Sequence, residues 1–321
     1  MDLIYTNAVK EDQGVLLNYE LDLAFGDDEN DFECKIQTES HCCGAGSYLY
    51  IEGTEYGGII DGLVSNTSLG EVTYLGRTWH GILNSKVITP DRGLAYLVLS
   101  GEANSVIGSL VERLGLSDLF EASSEDSGLF IRNYKMNRYI TGYDGIKKML
   151  ETVNGKLLFR YQDGRVIVSA SEKHDYSSDE EIDSDMVDFK ISKKYKTVNH
   201  LVCLGSGELE NRMVVDLYAD TNGNISRKQT FFGIDEYAAV YDFSNVESEE
   251  ELVNSGTDAL KSMMEASEVT VDLDDTSVSY DVGDIVGAYD NITGISAIAE
   301  ITKKIVTIKN GQTTISYKVG E

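Results

Sequence analysis

Apolar residues recur along this chain at two different periods, and the places where the period changes divide it. In the first ninety residues they alternate with polar ones in short runs: Gly14–Leu23, Asp31–Ile36, Tyr48–Ile51, Gly57–Ser65, Thr73–Leu75 and Ile82–Ile88. A period of two turns one face of each run toward a core, so these runs read as strands. Gly, Asp and Asn between them supply the turns, and short strands at this spacing predict an antiparallel barrel or sandwich. Pro90, the sole proline, ends the ladder: it has no N–H to donate and holds Thr89 extended.

The period then lengthens. Val106, Ile107, Leu110, Val111 and Leu114 share one helical face, with Asn104 or Ser105 as the expected cap. A second helix is expected from Asp144 to Thr152, turning Ile146, Met149 and Leu150 inward and stopping at Asn154-Gly155. Lys156–Tyr161 and Arg165–Ser169 predict a hairpin, because Asp163-Gly164 suits its left-handed turn. Alternation returns at Asp188–Leu204 and Val214–Asp220, where Asn222-Gly223 marks a tight reversal. Ser248–Ala266 reads as a helix with Leu252, Leu260, Met263 and Met264 facing inward and a Ser248/Glu251 capping box. Strands resume at Val269 and finish with Lys304–Lys309 and Thr313–Val319, joined at Asn310-Gly311. The expected fold class is α+β, mostly β: two β-barrel domains with an α/β domain between them and a small helical insertion. The expected divisions are 1–90 for the first barrel and 91–186 for the α/β domain ending in an acidic linker. The second barrel takes 187–232 and 270–321, interrupted by the insertion at 233–269.

Composition narrows the function. The 321 residues are 41% hydrophobic, enough for two or three cores. Fifty-five acidic residues against 27 basic ones give a net charge of −28, which repels phosphates at long range and argues against reading nucleic acid sequence. No run approaches the roughly 18 apolar residues of a membrane span, and no basic segment leads into an apolar one at the N-terminus. Neither a span nor a leader is expected. The four cysteines, Cys34, Cys42, Cys43 and Cys203, read as reduced thiols.

Candidate chemistry is sparse. His41, Cys42 and Cys43 near Cys34 invite a zinc reading, but no second pair supplies converging ligands, and adjacent strand cysteines point apart. His200 and Cys203 stand three apart on an expected strand, which puts them on opposite faces and weakens a base–nucleophile pair. The eight carboxylates of Glu172–Asp188 read as a solvated linker before a calcium site. Asp220–Asn224 is similar to part of a calcium loop, yet it lacks the later bidentate Glu, so a turn is the better reading. Trp79 reads as a core residue rather than a sugar platform, and Arg77 as a surface charge or a partner to an acidic subunit edge. No catalytic set, metal site or cofactor site is expected.

The run Gly76-Arg77-Thr78-Trp79-His80-Gly81-Ile82-Leu83, closing on Ile88-Thr89-Pro90, resembles a segment in minor structural proteins from the tails of long-tailed, siphovirus-type bacteriophages. The usual form there is Gly-Arg-x-Trp-x-Gly-Leu-Leu followed by Ile-x-Pro. Gly76, Arg77, Trp79, Gly81, Leu83, Ile88 and Pro90 match, while His80 stands where an Arg is frequent. Leu217–Ser226, which contains Asn222 and Gly223, and Tyr280–Val286, which contains Gly283 and Asp284, extend the likeness. The resemblance implies a virion structural protein of a phage or prophage tail tip or baseplate, not an enzyme and without cofactors. It implies a homotrimeric hub ring that closes the distal end of the tail tube and meets the distal tail protein, the tape-measure protein and tail-tip or receptor-binding proteins. The expected place is the virion tail tip, after assembly in the host cytoplasm. An acidic lumen would let DNA slide through without sequence-specific binding. Some relatives continue into a peptidoglycan-cleaving or receptor-binding extension; this chain stops at Glu321 after its last expected strand, so cleavage is not expected. The alternative, motivated by 19 Tyr, one Trp and many acidic side chains, is a carbohydrate-binding or adhesin-like β module for host cell-wall glycans.

Overall fold

The computed structural model describes residues 2–178, 182–183, 189–192, 197–244, 246, 248–265, 270–274 and 279–320. Contacts divide the chain into two units: Met1–Lys190 with Val271–Val319, and Ile191–Thr270 with Gly320–Glu321.

In the larger unit the early alternating runs become seven strands: β1 (Leu3–Thr6), β2 (Asp12–Leu16), β3 (Glu20–Gly26), β4 (Asp31–Gln37), β5 (Tyr48–Tyr50), β6 (Gly57–Asn66) and β7 (Glu71–Thr78). They lie in the order β3-β4-β7-β6-β5-β1-β2. In β4 every second residue, Phe32, Cys34 and Ile36, is buried, as a half-covered strand requires. The free edge of β3 is taken by the strand Ile295–Lys309, paired antiparallel from Lys303↔Gly26 to Lys309↔Glu20. Gln312–Gly320 follows it, and Asn310 and Gly311 at φ 53° and 76° form the expected two-residue turn. Val306 and Ile308 thereby join Leu21, Leu23 and Phe25 in one core.

This arrangement corrects the two-barrel expectation. Among the described residues the 13-stranded sheet does not close, and the strand Ile295–Lys309 pairs directly with the N-terminal β3, so first and last strands share one sheet. Alternation says which face of a strand is covered, but not which edge it pairs with.

A second correction concerns Ile82–Ile88. Residues Trp79–Asn84 form a short helix, α1, and only Val87–Ile88 is extended, paired with Ile140–Thr141. Thr78 starts the helix: its hydroxyl accepts the Gly81 N–H at 3.3 Å. The helices α2 (Ala103–Arg113) and α3 (Gly142–Glu151) were legible from their spacing. The cap of α2 is Glu102, not Asn104 or Ser105, because its carboxylate reaches both of their N–H groups, at 3.0 and 2.8 Å. Burial alone would raise the Glu102 pKa, but these bonds and those from Ser127 pull it down to about 2. Asn104 is instead buried, accepting the Ala170 N–H at 2.7 Å and donating to the Glu125 carbonyl at 2.8 Å. Gly155–Gln162 and Arg165–Glu172 form the expected hairpin, and Phe120–Ala122 lies parallel to its second strand. A continuous core runs from Tyr48 and Trp79 through Ile107 and Ile146 to Val168.

The acidic linker is ordered at its start. Asp175 bridges Ile285, Tyr176–Ser178 makes one 3₁₀ turn, and Ile182–Asp183 pairs parallel with Ala288–Tyr289. Residues 179–181 and 184–188 lie outside the described residues.

In the smaller unit His200–Leu204 pairs antiparallel with Val214–Ala219 and parallel with Ala238–Asp242, so the expected helical insertion at 233–269 contains a strand ahead of its helix. Asn222 and Gly223 do reverse the chain, with Gly223 at φ 79°. The turn is held by the Asp220 carboxylate, which accepts the N–H groups of Asn222 and Asn224 at 2.8 and 2.9 Å. The helix α4 (Glu249–Glu265) follows Ser248 and buries Leu252 and Leu260 against Leu201, Cys203 and Leu217. Leu260→Ala should lower the stability of this unit by about 2–5 kcal/mol, measured as a lowered urea midpoint in far-ultraviolet circular dichroism. An unchanged midpoint would mean that α4 is not packed through that residue.

Candidate functional site

The motif around Trp79 is built from close backbone approach. A Cβ at Gly76 would stand 2.0 Å from the Ile59 carbonyl oxygen and 2.7 Å from the Phe32 ring. One at Gly81 would stand 2.0 Å from the Asn30 carbonyl oxygen, so glycine is what lets α1 settle on the turn between β3 and β4. Arg77 lies on the outer side, donating from Nε and Nη2 to Asp61 at 2.6 and 2.8 Å and from Nη1 to Ser85 at 2.9 Å. Its acidic partner is therefore in the same chain. Trp79 is fully buried, stacked on Tyr161 at 5.2 Å with Tyr48 edge-on at 5.4 Å, which removes it as a sugar platform. Pro90 is half-buried just past Val87–Ile88.

His80, the departure from the usual motif, lies at the centre of a buried layer. Its ring stacks on Phe25 at 4.7 Å and meets Phe159 at 4.0 Å and Tyr143 at 5.6 Å. Burial, helped by the nearby Lys304 charge, pushes the imidazole pKa down to about 3. The Nδ1 atom is buried without a protein partner, and Nε2 is 3.9 Å from Glu55. Glu55 in turn accepts from Lys304 Nζ at 2.8 Å, and that ammonium lies about 6 Å or less from the ring centres of Phe25, Tyr56 and Tyr317. Burial works against the charge on Lys304, but the Glu55 carboxylate outweighs it and holds the pKa above the ordinary lysine value.

A second buried lysine clamps the C-terminal motif. Lys156, on the first strand of the 155–172 hairpin, donates to Asp284 at 2.7 Å and to Asp281 at 2.8 Å. Asp284 is wholly buried and also accepts the N–H groups of His174 and Asp281, both at 2.9 Å. Gly283, at φ 101°, leaves room for the lysine: a Cβ there would stand 2.9 Å from the Lys156 Cβ. The motif residues thus fall into two clusters of one unit, with Asn222 and Gly223 in the other.

Beside Glu55 and Lys304 opens a cleft of about 760 Å³, walled by Thr54, Tyr56, the serine-rich loop 123–127 and Asp281. Two carboxylates of this lining, Glu55 and Asp281, are each bound to a buried lysine. Elsewhere, Cys203 is buried while His200, half-buried on the other face, approaches Glu236 at 2.5 Å and Asp216 at 2.9 Å. Cys42 and Cys43 lie on an irregular loop, not the expected strand, with sulfurs 3.7 Å apart. Among the described residues no three His, Cys, Asp or Glu side chains group to hold a metal ion, and no helix is long and apolar enough to cross a membrane.

Sequence reasoning missed Glu55, Lys304 and Lys156, and took His80 as a local departure. One signal was present: Lys303-Lys304 interrupts the apolar rhythm of Ile301 to Ile308, which a solvated strand face does not explain.

This open, mostly β assembly of sheet, α/β portion and inserted unit is the fold of phage and prophage tail proteins. The chain aligns with the 43 kDa tail protein of prophage MuSo2 from Shewanella oneidensis over 99% of its own length and 98% of that protein's, with TM-score 0.57 and 9% identity. It aligns with a tail protein from Neisseria meningitidis MC58 over 97% and 94%, with TM-score 0.50 and 13% identity. Prophage tail protein gp18 from Listeria monocytogenes EGD-e matches over 99% and 94%, with TM-score 0.50 and 11% identity. No protein-family model matches the sequence, and neither does any curated protein.

The neutral His80 makes stability depend on pH in a definite direction. Its folded pKa of about 3 lies below the ordinary 6.5, so between those values the unfolded chain binds a proton that the folded chain refuses. Stability from this group is complete above pH 6.5 and lost as pH falls toward 3, with a slope approaching about 1.4 kcal/mol per pH unit. Denaturant titrations should show His80→Gln with a shallower slope in that window. Equal slopes in the two proteins would sink the assignment.

Proposed function

We propose that this chain is a structural subunit of a phage or prophage tail: a hub ring at the distal end of the tail tube, against which tail-tip proteins dock. The observation that carries the reading is the near-full-length match of fold to three tail proteins at 9–13% identity, where shared architecture rather than shared sequence is what persists. Its partners on this reading are two further copies, the distal tail protein, the tape-measure protein and tail-tip or receptor-binding proteins. The Gly76–Gly81 segment and the Gly283-Asp284 pair serve it by fixing the larger unit internally, which suits a rigid annular component. A net charge of −28 supports a lumen through which DNA phosphates pass without adhering. The burial of Trp79 takes the one tryptophan out of the glycan-binding alternative.

Light scattering coupled to size-exclusion chromatography over a range of concentrations tests the ring. A species of about 106 kDa, three times the 35.4 kDa chain, is expected. A 35.4 kDa monomer at every concentration that also fails to form rings with tail-tube protein under the electron microscope overturns the proposal.

A further inference from the structure

Residues 41–44 cross from the 3₁₀ turn Thr38–Ser40 toward β5 without regular structure. Three of them converge on one atom. The hydroxyl of Tyr74, a fully buried residue of β7, accepts the N–H groups of Cys42 and Cys43, each at 3.1 Å, and lies 2.9 Å from His41 Nδ1. On a strand, successive side chains point to opposite faces and adjacent sulfurs are kept apart. Here the loop turns about the Tyr74 hydroxyl, and the two Sγ atoms are 3.7 Å from each other. Cys42 is exposed; Cys43 is buried in the core that also holds Cys34.

We propose that Cys42 and Cys43 form a reversible vicinal disulfide when the protein meets a hydroperoxide. The exposed Cys42 reacts first: its thiolate attacks a peroxide oxygen, the O–O bond breaks, an alcohol or water leaves, and Cys42 becomes a sulfenic acid. The Cys43 sulfur then attacks the Cys42 sulfur; the S–S bond forms, the S–O bond breaks, and hydroxide leaves with the Cys43 proton as water. Two thiols lose two electrons, and the hydroperoxide gains them. Burial, reinforced by the neighbouring Cys42, raises the Cys43 pKa, consistent with this order of attack. The sulfurs need to approach by about 1.7 Å. Adjacent Cα atoms are about 3.8 Å apart, shorter than the roughly 4.4–6.8 Å of ordinary disulfides, so the link is strained and easily reduced. It is therefore open in a reducing cytoplasm and closes in an oxidising medium.

The test is intact-mass spectrometry of the full chain after stoichiometric hydrogen peroxide, unfolding and alkylation. Reduced protein should carry four adducts, one for each free cysteine, and peroxide-treated protein two. The loss of two hydrogens should map to the peptide holding Cys42 and Cys43, and dithiothreitol should restore four adducts. Cys42→Ser should keep all three of its remaining thiols alkylatable after the same treatment. Cys43→Ser should leave a Cys42 sulfenic acid that dimedone traps. Retention of four adducts, a disulfide mapped to Cys34, or stable oxygen addition at Cys42 in the unmutated chain would each overturn the proposal.

Discussion

The larger unit depends on one antiparallel ladder, that between β3 and the strand Ile295–Lys309. It joins residues nearly the whole chain apart, so its loop-closure cost must be met before any of its contacts are gained. Gly26, at φ 130°, marks its end: a Cβ there would stand 2.1 Å from the Thr302 carbonyl oxygen. Once the ladder is made, Lys304 is carried beneath Phe25 and Tyr56 and reaches Glu55, and Asp284 reaches Lys156. The ladder thus ties the sheet to the aromatic layer at His80 through Lys304.

The buried charges explain how the layer tolerates few alternatives. A buried ion pair adds little net stability, because desolvation offsets most of the attraction, but removing one partner strands the other at a cost of about 3–5 kcal/mol. Lys304–Glu55 and Lys156–Asp284 therefore act less as adhesive than as a register: a shifted strand leaves a charge unpaired. His80 contributes on the same terms, as a neutral ring filling space between Phe25 and Phe159.

Local signals in the sequence sufficed for local structure. The helices α2, α3 and α4, the hairpin across Asp163-Gly164 and the terminal turn at Asn310-Gly311 follow from spacing, caps and residues tolerant of positive φ. The short helix α1 was hidden because Trp, Ile and Leu also suit strands and Gly81 weakens a helix; the legible clue was Thr78, a capping residue. Edge pairing was not legible, since any exposed edge of matching pattern serves, and so the two-barrel expectation failed where the ladder began. Of the motif residues, the glycines could be read as points of close approach, but the carbonyls they approach belong to distant segments. Glu55 and Lys156 carried no spacing signal, and the break that Lys303-Lys304 makes in its strand's rhythm named no partner, because separate elements bring these residues together.

The burial of Trp79 gives the protein a built-in optical reporter. It is the chain's single tryptophan, packed against Tyr161 and Tyr48, which can transfer excitation to it. Indole emission thus reports on the larger unit, where α1 meets β5 and the 155–172 hairpin, and residues 191–270 hold no tryptophan of their own. A red shift in fluorescence timed against the loss of circular dichroism would show which of the two units melts first, with no label attached.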